Sequence, residues 1–466
     1  MEQGYDQEPT GVAAEPTPTG VATEDYWLRF RVPPGLMPDR QFDGRPARLR
    51  VHRVRPVYAN GVRPTVRRAV VLIHGRTVPG PVVFDLRDPA TSGGNLNLSV
   101  QKALARAGID TFAPSLLGYG RSTRFDTGLD DPGNASLSAC PIPGTPIPRE
   151  GCDSTLNARI NPLDQQDLLL GNPLAARRAH SSNFRFARTD GWVRDIDQVI
   201  EDAIERARPT DRKVVLVGYS VGGQHVGRTL YPDNPNEHLE YERDEVIEKV
   251  SRVVFVNSFF GVVRGQPGIG PTEEPDPFGP PTFPLTLNDK TTPFGGSDAL
   301  WTPVNTDPQA CPGRIIDGTK EQVWRQTMEH ETVGREWGTT GGLNRAPTFS
   351  GYGWNRFVAR KLRTPTLVMQ GLEDGVLPTG PGTGRAIYGY LPAPEENVFN
   401  KVLVEVECAS HVMQWEGCDG GGFADCTPPY VTFQEALIDW IKSGTFNGNA
   451  NGPFYVNPSA ESSAAT

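Results

Sequence analysis

The chain has no apolar run near the roughly 20 residues needed to cross a bilayer, so a membrane-spanning helix is not expected. Its first 25 residues also lack the apolar centre of a secretory signal peptide. Lysine is scarce, with eight in 466 residues, and arginine carries most of the positive charge. Even so, 55 acidic residues outnumber 46 basic ones, and the net charge of -9 disfavours a nucleic-acid partner. No cysteines or histidines fall at zinc-ligand spacing, which argues against a metal site. What is plentiful is glycine (51) and proline (44), a composition that calls for long, stiffened loops. The length allows one enlarged domain or two to three small ones.

The six cysteines are an even number and lie mostly in loop-like sequence. That pattern favours an oxidising compartment, secreted or periplasmic, over the cytoplasm, with six reduced thiols as the alternative. Cys140 with Cys152 and Cys418 with Cys426 bracket short Pro- or Gly-rich loops and are the expected pairs, which leaves Cys311 and Cys408 over.

Residues 1–24 repeat PTGVA at 9–13 and 18–22 and read as a disordered tail, and 448–466 read as equally loose. Between them β-rich runs alternate with amphipathic ones. Strands are expected at 26–32, 49–58, 69–74, 110–114, 213–218, 252–257, 366–370 and 402–406. Helices are expected at 99–107, 190–207, 221–230, 319–337 and 432–443. The inner runs VVLI, VVLV, VVFV and TLVM are apolar throughout, as parallel strands covered on both faces are. The expected class is α/β, a mostly parallel eight-stranded sheet with helices on both faces. Two long stretches interrupt the rhythm, a lid insertion at 122–189 and a cap insertion at 261–363, leaving 25–260 and 364–447 as the core. Four of the eight tryptophans (Trp301, Trp324, Trp337 and Trp354) fall in the second insertion, which suggests a cap closing over an apolar site.

Residues 213–223 read KVVLVGYSVGG: a short apolar strand, then Gly-Tyr-Ser-Val-Gly, then a helix start. In that setting G-x-S-x-G marks a nucleophile elbow. Gly218 and Gly222 let strand and helix close on each other, and the helix N-terminus beneath Ser220 favours a developing oxyanion. A serine nucleophile needs a base, and the base an orienting acid. His411 follows the strand KVLVEVE. Asp374 lies in the turn GLEDGVLP after TLVMQ and is preferred to Glu373, which is expected to face solvent. The other histidines read differently: His52 and His238 as surface residues, His180 and His330 as insertion residues, and His225 on the helix after Ser220, pointing away. His74 opens the turn His74-Gly75-Arg76 after AVVLI, whose Arg76 N–H would join that of Val221 in an oxyanion hole. Tyr219, Tyr119 in the turn GYGRS, Trp324 and Trp337 are the candidates for substrate contact.

With the HG turn, GYGRS, GYSVGG, GLEDGVLP and the final SH in this order, the chain resembles the α/β-hydrolase superfamily, over about 45–260 and 364–443. Within it the chain looks like a capped bacterial esterase or lactonase. The resemblance implies an α/β-hydrolase fold and a Ser-His-Asp triad that cleaves a small-molecule or oligomeric ester through an acyl-enzyme, with no cofactor. Acyl transfer on the same triad and a non-catalytic binding protein on the same fold are the alternatives. Oligomeric state is not legible.

Overall fold

Strand residues that are apolar at every position must be covered on both sides, and the chain supplies a helical layer for each face of one sheet. The computed structural model describes residues 15–34, 42–124, 189–230, 244–261, 286–291, 296–307, 311–332, 334–336, 341–346, 354–377, 380–393, 400–418, 426–457 and 463–464. The strands are β1 (Gly20–Arg31), β2 (Pro46–Val57), β3 (Arg68–Ile73), β4 (Ile109–Ser115), β5 (Val214–Tyr219) and β6 (Val250–Val256). After them come β7 (Thr286–Asn288), β8 (Asn344–Ala346), β9 (Thr366–Gly371), β10 (Lys401–Val406), β11 (Asn451–Val456) and β12 (Ser463–Ala464). The helices are α1 (Gly80–Phe84), α2 (Val100–Arg106), α3 (Thr189–Ala207), α4 (Val221–Thr229) and α5 (Asp244–Glu248). They continue with α6 (Thr319–His330), α7 (Arg356–Ala359), α8 (Gly382–Tyr390) and α9 (Pro429–Ser443).

The main sheet runs β1-β2-β4-β3-β5-β6-β9-β10-β11-β12, ten strands rather than the expected eight. From β4 to β11 the neighbours are parallel, while β1, β2 and β12 pair antiparallel at the two edges. The eight expected strands are β1 to β6, β9 and β10. The unexpected ones come from the stretch expected to be loose, where Asn451–Val456 instead lie parallel to β10 in register Lys401↔Asn451. Nor does 1–24 lie wholly outside the sheet, because Gly20–Glu24 pair with Val57–Arg53 as the start of β1. The helix expected to reach 337 ends at His330.

Alternate strand residues feed two cores. Val71, Ile73, Leu216, Phe255 and Val368 pack with Trp192, Ile196, Val199 and Ile200 of α3 and with Ile387 of α8. Val70, Leu72, Val217, Val254, Met369 and Val404 pack on the other face with Val83 and Phe84 of α1 and with Phe433, Leu437 and Trp440 of α9. Two of the supposed cap tryptophans belong to these cores. Trp354 stacks on Phe255 at 4.7 Å, and Trp301 lies 5.5 Å from Trp415. Both are buried against the sheet's helical layers. Among the described residues no helix is long and apolar enough to cross a membrane.

Register decides where the loops emerge. Ile73 of β3 stands beside Gly218 of β5, Tyr219 beside Val256 of β6, Val256 beside Met369 of β9, and Gly371 beside Val406 of β10. Five strands therefore end at one rim. The order reverses there, since β4 lies on one side of β3 and β5 on the other. Such a switch point at the carboxyl ends opens the crevice in which α/β sheets bind ligands.

Candidate active site

Ser220 is the residue between β5 and α4, with φ 57° and ψ -125°. A side chain held at positive φ is strained, and strain of this kind persists where surrounding contacts fix it. Here the Ser220 N–H donates to the Val256 carbonyl at 2.9 Å, and the Ser220 carbonyl accepts from Gly223 at 3.0 Å and Phe259 at 3.1 Å. The flanking glycines are needed for approach. A Cβ on Gly218 would lie 2.6 Å from the Gly223 Cα, and one on Gly222 2.5 Å from the His74 carbonyl oxygen.

His411, in the turn after β10, brings Nε2 within 2.8 Å of Ser220 Oγ. Its Nδ1 meets Asp374 Oδ2 at 2.9 Å. The carboxylate's other oxygen accepts the N–H of Val376 at 3.0 Å and of Leu377 at 3.2 Å, so the acid loop curls around its own side chain. Ser220 is 4% exposed, and Asp374 and His411 are 0% exposed. The structure thus brings together three groups 191 and 37 residues apart along the chain. The ring of Tyr219 lies 5.2 Å from that of His411, and Phe259 stands edge-on to the same imidazole at 6.3 Å.

The turn after β3 lies directly against the serine. A Cβ on Gly75 would fall 2.7 Å from Ser220 Cβ and 3.1 Å from its Oγ. His74 holds that turn from behind: its Nε2 accepts the Leu116 N–H at 3.0 Å, so Nδ1 carries the proton and donates to the Gly75 carbonyl at 2.6 Å. Burial pushes the imidazole down to about 4, against that hydrogen bond, and keeps it neutral. A trans peptide points its carbonyl and N–H in opposite directions, so the Arg76 N–H faces away from His74. Val221 opens α4, where a helix leaves its first N–H groups without intrahelical acceptors.

Tyr119 is buried edge-on to His74 at 4.6 Å and so packs behind the turn. Trp324, on α6, donates to the Gly341 carbonyl at 3.1 Å inside the second insertion. Trp337, His180, His238, Cys140 and Cys152 lie outside the described residues. His225 is buried 5.1 Å from Trp192, facing α3, and His330 is half-buried at the end of α6. His52 is not a surface residue. It is buried between Asp25 at 3.0 Å and Asp85 at 2.8 Å, because β1 and the turn after α1 close over it. Glu373 is half-buried rather than free in solvent, and its carboxylate accepts the Asn305 N–H at 2.8 Å.

Asn257 is the residue that sequence reasoning missed. Directly after β6, it donates through Nδ2 to the carbonyls of Ser410 and His411, both at 2.9 Å. Its Oδ1 accepts the Gly371 N–H at 2.8 Å, which joins the histidine turn to the acid turn. The available signal was a polar residue closing an otherwise apolar strand at the site rim. Among the described residues no group of three His, Cys, Asp or Glu is placed to hold a metal ion.

A model of the alpha/beta hydrolase family matches residues 70–425. Solved structures similar to this chain include a soluble variant of monoglyceride lipase from Saccharomyces cerevisiae. It is 13% identical, with 89% of this chain and 97% of that one covered and a TM-score of 0.39. An esterase from Exiguobacterium antarcticum is 13% identical over 85% of this chain and 96% of its own, TM-score 0.37. A monoacylglycerol lipase from Paleococcus ferrophilus is 14% identical over 90% and 98%, TM-score 0.33. No curated protein matches the chain.

Proposed function

The chain belongs to the alpha/beta hydrolase family, and from that premise we propose that it hydrolyses a carboxylic ester or lactone through an acyl-enzyme on Ser220. The observation that carries this reading is the unbroken relay Ser220 Oγ–His411 Nε2 and His411 Nδ1–Asp374 Oδ2, at 2.8 and 2.9 Å. Ser220 Oγ attacks the substrate carbonyl as His411 Nε2 takes its proton. Asp374 keeps the imidazole in the tautomer that leaves Nε2 free to accept, and stabilises the imidazolium that forms. The N–H groups of Val221 and Arg76 hold the oxyanion of the tetrahedral intermediate. His411 then gives its proton to the departing alcohol, and water repeats the steps to release the acid. The small apolar group Val221, Phe259 and Leu377 beside the relay supports an apolar substrate portion next to Ser220.

As a test, Ser220→Ala is expected to abolish turnover of short p-nitrophenyl esters while circular dichroism and melting stay close to wild type. Unchanged turnover would end the proposal. Acyl transfer on the same relay is supported by the near-complete burial of all three groups, since a closed site limits water as acceptor. Product analysis with added alcohols or amines separates the two: transfer products outweighing free acid favour transfer. A binding protein without catalysis would keep the fold and give neither product.

A further inference from the structure

The second insertion touches three of the turns that build the site. Asn344, on β8, donates its side-chain amide to the Thr77 carbonyl in the turn that carries Arg76. Residues 302–305 lie along the acid turn: Pro303 bridges Asp374, the Val304 N–H reaches the Glu373 carbonyl at 3.1 Å, and Gly375 donates to the Thr302 carbonyl at 3.1 Å. Residues 311–317 are fastened to the histidine turn. Cys311 is bonded to Cys408, Ile315 bridges Glu416, and Gly417 donates to the Arg314 carbonyl at 2.9 Å.

One group in this seam is out of keeping with a purely structural role. Glu416 is 0% exposed and lies five residues beyond His411. Its carboxylate accepts the Ser410 N–H and the Ser410 Oγ–H, each at 2.6 Å, and pairs with Arg314 at 2.9 Å. Burial raises it to about 7, against the pull of Arg314 and Ser410. A buried ion pair is poor value as stability, because desolvation consumes most of the attraction. What it does give is a fixed geometry. Ser410 is held by its N–H and hydroxyl from the Glu416 side, while Asn257 holds the Ser410 and His411 carbonyls from the other. The imidazole is thereby set between Ser220 and Asp374 from both directions. Cys408, where the chain leaves β10 with φ 56°, is tied to the insertion at the start of the same turn.

We propose that residues 302–305 and 311–317 are a brace for the catalytic turns rather than a lid, with Glu416 as the residue that positions His411 and with Arg314 and the Cys311–Cys408 bond holding Glu416 in place. This rests on reading His411 as the base of a Ser220 hydrolase.

The test compares wild type with Glu416→Gln, and with Cys311→Ser combined with Cys408→Ser. Four quantities are read: kcat and KM on a p-nitrophenyl ester, the melting temperature, and the downfield proton resonance of the His411 Nδ1–H shared with Asp374. Glu416→Gln is expected to lower kcat roughly 10- to 100-fold, since small displacements of a reacting group cost that much. KM should stay within about twofold, because ground-state binding is untouched. The downfield resonance should shift or disappear while unfolding remains cooperative, and the double serine variant should move kcat and the resonance the same way. Wild-type kcat and an unmoved resonance in Glu416→Gln would overturn the brace. If wild type itself hydrolyses no ester, the ester reading fails alone, and the resonance still decides the positioning claim. Should Glu416→Gln not fold, Ser410→Ala removes only the hydroxyl donor; an unmoved resonance there is equally contrary.

Discussion

Gly75 leaves no room for a methyl group, because a Cβ would come within 2.7 Å of Ser220 Cβ. Gly75→Ala must therefore displace either the nucleophile or the turn that presents the Arg76 amide. We expect it to lower kcat by about 10²-fold or more, with a far smaller effect on melting. Steady-state kinetics beside differential scanning fluorimetry checks this, and an active Gly75→Ala enzyme would move the oxyanion turn elsewhere. Asp374→Asn keeps the shape of the acid but presents the imidazole with the wrong partner. In the serine-hydrolase template that exchange costs about 10⁴-fold in kcat, and a comparable loss is expected here. A loss of only a few-fold would mean that Asp374 is not the acid.

Elements explain why those residues meet. β3, β5, β6, β9 and β10 end at one rim, and His74, Ser220, Asn257, Asp374 and His411 all lie in the turns beyond it. Apart from Asn257 this much was legible in the sequence, because short valine-rich runs that break off into turn residues carry both the strand and its ending. Other elements were not. α8 reads GTGRAIYGY, three glycines in nine residues, and only its packing against β9 and β10 makes it a helix. β11 reads NGPFYV and buries only Phe454 and Val456, too weak an alternation to mark a strand. Asn257 carries no motif at all, and its part in the site depends on two turns 114 and 153 residues away.

His52 illustrates a polar side chain that joins elements. It bonds Asp25 of β1 and Asp85 after α1, while Asp85 also takes the hydroxyl of Ser99, the N-cap of α2. Burial opposes its charge, yet the two aspartates outweigh burial and raise it to about 9 from 6.5. A raised pKa means that this stabilisation is complete below about 6.5 and is lost as pH rises through about 9. The melting-temperature gap between wild type and His52→Gln should thus be widest near pH 6 and close above pH 9, by about the amount the cluster contributes. A gap constant across that range would show that the imidazolium is not what joins these elements.

At the scale of the whole molecule, one cystine ties the insertion to the C-terminal part of the chain and a second lies within that part. Cys311–Cys408 closes a span of 97 residues and Cys418–Cys426 one of 8. Four of the six cysteines are thereby oxidised, so the denatured, unreduced protein is expected to titrate no more than two thiols with Ellman's reagent. More than two would contradict this pairing. Bonds of this kind persist in oxidising compartments. The expected pair Cys418–Cys426 is formed, and Cys311 with Cys408, the two left over, are joined across the insertion. The sequence could not assign that pair a role, because only the folded chain shows what each cysteine sits beside.

We propose above all that a buried serine on a strained elbow is made nucleophilic by an imidazole brought in from the far end of the chain. The most direct test is labelling with a fluorophosphonate, followed by peptide mapping of the adduct in wild type and in His411→Ala. One phosphonylated residue, Ser220, is expected in wild type, with a rate of labelling reduced by several orders of magnitude without the imidazole. Label on another residue, or equal rates in the two proteins, would contradict it.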